Sequence, residues 1–284
     1  MYALETASSI PGDQAETDPR TVVREKRMRD TRAAQSEDAV GTERDSTSER
    51  SYDRSQWEAV FWDIGGVILD LESVRTAHVA FVDELLERYD LETSRERALE
   101  TWRSVLGEYF RERDGTEFRP ARAGYAIAVE TLVGTEVPRE DWKPAFEAAA
   151  DDAIKPVTGA PETIRRLAAR DVHVGVISDI DDAEGKRMLE RFGVRSAFDS
   201  ITTSEEVGRT KPDPTMFETA LEKAGVTPSR SLMVGDRYEH DVKGAADAGL
   251  HGVAFGADDG PAVSYRIEDP REVLEIVDDG SRTL

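Results

Sequence analysis

The chain has 284 residues, no cysteine, and 37 basic against 59 acidic residues, for a formal charge of −22. Such a balance repels nucleic acid and anionic membrane, and the lack of cysteine excludes a disulfide framework or a thiolate metal site. No apolar run reaches bilayer length and no basic-then-apolar leader opens the chain, so the composition points to a cytoplasmic protein, monomer or homodimer, that acts on a small molecule.

Residues 1–56 hold 9 basic and 12 acidic residues and almost no apolar periodicity, which predicts a disordered tail unable to offset its ordering entropy. The basic cluster from Arg20 to Arg32 is interrupted by Glu25 and Asp30 and reads as a solvated arm. The remaining residues carry −19, and only 7 of the 37 basic residues are lysine. This acid-rich, lysine-poor surface resembles that of proteins from organisms with molar salt in the cytoplasm, where screening relieves self-repulsion. Poor stability in dilute buffer is expected.

The folded part begins near Trp57 with an apolar strand that ends on Asp63 and continues Ile64, Gly65, Gly66. A carboxylate at the end of a buried strand, beside permissive backbone, is suited to nucleophilic phosphoryl transfer. Apolar residues at three-four spacing then predict helices over 74–89, 94–110, 121–133 and 139–152. Four successive helices cannot extend a parallel sheet. They predict an all-helical cap domain at 71–155, left through the Pro- and Gly-punctuated stretch 155–161. The aromatics Trp102, Tyr109, Phe110 and Tyr125 are read as packing within it.

Alternation follows: helix 161–169, strand 172–177, helix 183–192, strand 198–202, helix 214–224, strand 231–234, helix 241–248 and strand 252–255, with a last strand and helix within 265–277. The fold class is therefore α/β, a doubly wound, Rossmann-like parallel sheet formed by residues 57–70 and 156–284, interrupted by the helical insertion.

In such a sheet ligands sit beyond the carboxyl ends of the strands. Asp63, Ser178 and Asp236 fall there, with Lys211 arriving from a loop. Each has an ordinary alternative: Ser178 as a helix cap, Asp236 closing the turn after Gly235, Asp241 as an N-cap, Lys211 in solvent. Lys211 is followed by Pro212, Asp213 and Pro214, which read as a rigid lead into a helix with Asp213 as N-cap and Pro214 as its first residue.

In order, the chain shows Phe61-Trp-Asp63-Ile-Gly-Gly, Val176-Ile-Ser178-Asp179, Lys211-Pro-Asp-Pro214 and Gly235-Asp236 with Asp241 five residues later. Over residues 57–277 this resembles the haloacid dehalogenase superfamily, in the subfamily with a helical cap after the first motif. The resemblance implies a phosphatase of small phosphorylated metabolites that forms an aspartyl-phosphate on Asp63. It implies Ser178 and Lys211 as the other catalytic groups, and Gly65, Gly66, Ser178, Asp179 and Lys211 around the substrate. It also implies a Mg²⁺ ion held by Asp63, the Gly65 carbonyl and Asp236, with Asp241 either a ligand or one hydrogen bond removed. Mg²⁺ prefers such oxygen donors, and with a lysine it offsets charge on the phosphoryl group.

Two departures stand out. Asp179 replaces the Asn common after the motif's Ser, and Gly65 stands where many family phosphatases carry the acid that protonates the leaving group. Losing such a group costs about 10²- to 10⁴-fold in rate. Three explanations are open: a substrate with a good leaving group, an acid supplied from the insertion (Glu72, His78 or Glu84), or a site that only binds phosphate and Mg²⁺. A 2-haloacid dehalogenase is a further alternative, against which Asp236 and Asp241 both speak.

Overall fold

The computed structural model describes residues 56–279; the expected N-terminal tail, up to residue 55, lies outside them. Six strands, β1 (Ala59–Trp62), β2 (His173–Ser178), β3 (Ser200–Thr203), β4 (Ser231–Gly235), β5 (His251–Phe255) and β6 (Val263–Ile267), form one sheet in the order β3-β2-β1-β4-β5-β6. Every pairing is parallel. The chain winds outward from β1 in both directions, which makes the ends of β1 and β4 a topological switch point.

β1 is wholly buried, as a central strand covered on both faces must be. The two-residue period sends Phe61 and Met233 to one face with Met216 and Phe217, and Val60, Trp62, Val174 and Val234 to the other with Ile164, Leu189 and Val273. Register sets Trp62 level with Val176 and Val234. The chemistry-bearing residues that follow these strands therefore emerge at one height.

Between β1 and β2 run α1 (Leu71–Arg88), α2 (Arg95–Arg111), α3 (Ala121–Val133), α4 (Arg139–Ala153) and α5 (Ala160–Ala168). Asp70 caps α1 by accepting from the backbone of Glu72 and Ser73. The first four helices share an aromatic centre: Trp102 and Tyr125 stack at 5.8 Å, and Phe81 meets Phe146 edge-on at 5.0 Å. The segments entering and leaving this group run together, with Asp70 N–H donating to Lys155 O (3.1 Å) and Val157 N–H to Ile68 O (2.8 Å).

After β2 come α6 (Asp182–Arg191), the one-turn α7 (Ser204–Val207) that directly follows β3, α8 (Pro214–Ala224), α9 (Lys243–Asp247) and α10 (Glu272–Asp279). α8 begins on Pro214 with Asp213 as its cap, accepting from Thr215 N–H. The helix expected over 241–248 is instead a single π turn, Tyr238–Val242, running into the short α9. The wider turn lets Asp241 fold back so that its Oδ2 accepts from Arg237 N–H at 2.9 Å.

Candidate active site

Asp63 follows β1 and is held level with β4 by its N–H donating to Val234 O (3.0 Å). Ser178 ends β2, and its hydroxyl near the Asp63 carboxyl favours the ionised form of that acid. Asp236 follows β4, and Asp241 lies in the π turn beyond. Oxygen atoms of Asp63, Asp236 and Asp241 lie within 4.8 Å of one another.

Two glycines permit this crowding. Gly66 has φ +74°, and a Cβ there would fall 1.9 Å from Asp236 Oδ2. A Cβ on Gly235 would fall 2.1 Å from Asp241 Cβ. Larger residues at either position would drive the carboxylates apart.

Lys211 reaches in from the loop before α8 and is 1% exposed. Its ammonium lies 2.9 Å from Asp63 Oδ1 and 2.5 Å from Asp241 Oδ1, and it donates to Ile177 O at 3.0 Å. The carbonyl contact is a hydrogen bond and the two carboxylate contacts are ion pairs. Burial opposes the charge on Lys211, but Asp241, Asp63 and Asp179 together outweigh it and hold the pKa above its usual value. Burial pushes the Asp63 carboxyl up, with Lys211 opposing and Asp241 adding to the rise. Asp236 is pushed up to about 7 by burial and then by its two carboxylate neighbours. Three acids against one ammonium leave the centre two charges from neutrality when all are ionised.

The fit to a metal ion is judged on the donors themselves. All three side chains offer oxygen, and Asp236 Oδ1 is buried without a hydrogen-bond partner. A small hard dication suits both the surplus charge and the open lone pairs.

The structure brings Asp63, Ser178, Lys211, Asp236 and Asp241 together, with Gly65 and Gly66 in the turn beside them. Asp179 is engaged by the protein itself. Its Oδ1 accepts from Lys211 N–H (2.8 Å) and Ser204 Oγ (2.9 Å), and its Oδ2 lies 3.9 Å from Arg237. Of the acids considered within the insertion, Glu72 and Glu84 pair on the surface with Arg75 (2.9 Å) and Arg88 (2.7 Å). His78, its pKa driven down to about 3 by burial, packs beside Trp102, Tyr125 and Phe146. It is therefore a neutral imidazole at physiological pH.

Several contributors had no signal in the sequence. Ser204 Oγ donates to Asp179 Oδ1, and His240 Nδ1 lies 2.8 Å from Lys211 O. The α2–α3 loop is strapped to the segment before α8: Thr210 N–H donates to Thr116 O (2.7 Å), Thr116 Oγ1 to Asp213 (2.6 Å) and Phe118 N–H to Gly208 O (3.1 Å). Arg122 joins Asp181 (2.9 Å) and Glu205 (2.8 Å), and Asp181 also accepts from Ala121 N–H. Glu184, in the first turn of α6, is 3% exposed, and burial lifts its pKa to about 8.

A parallel sheet with an acid–lysine centre at its switch point defines a class of α/β hydrolase. The family model described as haloacid dehalogenase-like hydrolase matches residues 57–249, and the chain belongs to that family. It is 25% identical over 228 residues to a glyceraldehyde 3-phosphate phosphatase of Methanothermobacter thermautotrophicus, covering 79% of this chain and 97% of that one. It is 27% identical over 200 residues to a ribulose-1,5-bisphosphate 5-phosphatase of Halopiger xanaduensis, covering 69% and 84%. The fold matches a haloacid dehalogenase-type phosphatase from Thermococcus onnurineus with TM-score 0.59 at 22% identity, over 78% of this chain and 98% of that one. Among the described residues, no helix is long and apolar enough to cross a membrane.

Proposed function

We propose that this hydrolase is a Mg²⁺-dependent phosphatase of small phosphorylated metabolites, acting in the cytoplasm through an aspartyl-phosphate on Asp63. The observation that carries the reading is the trio Asp63, Asp236 and Asp241, gathered within 4.8 Å around a single buried lysine. The two relatives named above, each a phosphatase of a small phosphate ester by name, support the substrate class.

Asp63, Asp236 and Asp241 would hold the ion, with the Gly65 carbonyl as a backbone donor. When bound, Mg²⁺ supplies charge stabilisation for the phosphoryl oxygens. Asp63 attacks phosphorus with a carboxylate oxygen as the ester P–O bond breaks, and water then releases phosphate from the acyl-phosphate. Ser178 donates to the phosphoryl oxygens, and Lys211 offsets their charge while keeping Asp63 ionised and aimed. Helices α1–α4 serve as the cap over the site, residues 71–155, on a core of 57–70 and 156–284. The paired entry and exit segments and the strap to the loop carrying Lys211 support that division. The acidic surface is an adaptation to high salt.

The test is phosphate release in molar KCl with and without Mg²⁺. Asp63→Asn should abolish turnover, and full activity in that variant sinks the nucleophile assignment. Gly65 favours a second reading, a site that binds Mg²⁺ and phosphate without turnover. That reading expects ligand-induced thermal shifts but no product across a substrate panel.

A further inference from the structure

We infer that Asp179 is a positioning residue: with Ser204 and His240 it clamps the backbone of Lys211 and thereby fixes where the ammonium stands between Asp63 and Asp241. The inference rests on the phosphatase reading and extends it to how the lysine is aimed.

A lysine side chain is a compact charge on a long flexible stem, so its aim depends on where its own backbone is anchored. Lys211 lies outside regular secondary structure, between α7 and α8. Both polar atoms of its backbone are nevertheless bound by side chains from elsewhere. Its N–H donates to Asp179 Oδ1 at 2.8 Å, from the loop after β2. Its C=O lies 2.8 Å from His240 Nδ1, in the π turn after β4. Asp179 is anchored in turn by Ser204 Oγ, which donates to the same Oδ1 at 2.9 Å. Ser204 is fully buried and Asp179 nearly so. The two loops that deliver Ser178 and Asp236 therefore also grip the backbone from which the ammonium extends.

The clamp itself is served equally by Asp and by the family's usual Asn. The contact to Lys211 uses only Oδ1, an acceptor that both residues own. The charge of Asp179 matters at Oδ2, which faces the half-exposed Arg237. Removing the acceptor leaves a buried N–H without a partner and frees the segment to shift. A displacement near 1 Å of a group that must meet a reacting phosphate costs about 10²-fold.

The experiment compares Asp179→Ala, Asp179→Asn, Lys211→Ala and the double variant Asp179→Ala/Lys211→Ala. kcat/KM for an aryl phosphate, the affinity for inorganic phosphate by titration calorimetry, and thermal melts are read together. Asp179→Ala should lower kcat/KM by about 10²-fold, and Asp179→Asn should recover at least tenfold of that loss. Because Asp179 acts through Lys211, the double variant should lose no more than about twofold beyond Lys211→Ala alone. Asn as damaging as Ala, or losses that multiply in the double variant, would overturn the clamp. Should Asp179→Ala not fold, His240→Phe removes the partner of the carbonyl instead and must show the same non-additivity with Lys211→Ala. If the wild type releases no phosphate from any substrate, the phosphatase reading falls. The clamp is then judged on phosphate affinity alone, lost in Asp179→Ala and regained in Asp179→Asn.

Discussion

Gly65 and Gly66 are neighbours with opposite tolerance for a side chain, and that contrast makes Gly65→Asp the sharpest probe of the site. Gly65 has no left-handed φ, and a Cβ there would meet only Leu71 Cδ2, at 3.9 Å, an ordinary van der Waals contact. The substitution should therefore fold with little loss of stability. If it restores a group that protonates the leaving oxygen, the gain is about 10²- to 10⁴-fold, or about 3 to 5 kcal/mol of barrier. That gain depends on the substrate, because a leaving group that departs readily as an anion needs no proton. The assay is phosphate release from aryl and alkyl phosphates of graded leaving-group basicity, in molar KCl with Mg²⁺. The plot of log kcat/KM against leaving-group pKa should be steep for the wild type and flatter for Gly65→Asp. Gly66→Ala is the control: its φ of +74° and the 1.9 Å approach to Asp236 Oδ2 predict weakened Mg²⁺ binding and no gain for any substrate. A folded Gly65→Asp whose slope matches the wild type would refute the idea that a missing acid limits turnover.

Lys211→Met leaves three clustered carboxylates without their ammonium. Breaking a buried ion pair on one side costs about 3 to 5 kcal/mol, so the melting temperature without metal should fall sharply and Mg²⁺ should raise it more than in the wild type; an unchanged melt counts against the charge argument. Asp236, raised to about 7, must shed its proton to accept a cation. Mg²⁺ affinity should therefore weaken as pH falls through about 7, with proton release visible by calorimetry in buffers of different ionisation enthalpy. The sign for stability runs the other way. In metal-free protein the raised pKa stabilises below the usual carboxylate range, and that contribution is lost as pH rises through about 7. Finally, with a formal charge of −22, the melting temperature should rise from dilute buffer to molar KCl as screening grows; a flat profile would remove the support for salt adaptation.

The sheet was legible because its strands are short, apolar and bounded by turn residues, and because Asp63, Ser178 and Asp236 each stand where such a strand ends. Helices 121–133 and 214–224 were read to the residue, the latter through Asp213 and Pro214. The π turn was not legible. It arises from Asp241 turning back onto Arg237 N–H and Lys211, a tertiary demand that local propensity does not encode. The contact of Asp179 was not legible for a related reason: adjacency to Ser178 says nothing of side-chain direction, and Oδ1 accepts from a backbone N–H 32 residues away. Ser204 and His240 carry no pattern of their own, since each acts through one hydrogen bond formed only in the folded chain.

The division between phosphate and carbon–halogen chemistry turns on the surplus charge. An ester-forming attack on carbon needs one ionised carboxylate, and a lysine between Asp63 and one other acid would serve it. Here the chain goes further, placing Gly66 and Gly235 where any Cβ would push Asp236 or Asp241 away. Holding a third carboxylate beside the other two raises its pKa and stores repulsion that Lys211 alone does not cancel. Such an arrangement is costly in a resting protein and becomes favourable when a dication occupies it, after which the dianionic phosphate meets a centre closer to neutral. The crowding of Asp236 is thus better explained by attack on a phosphoryl group that is itself dianionic than by attack on an uncharged carbon centre.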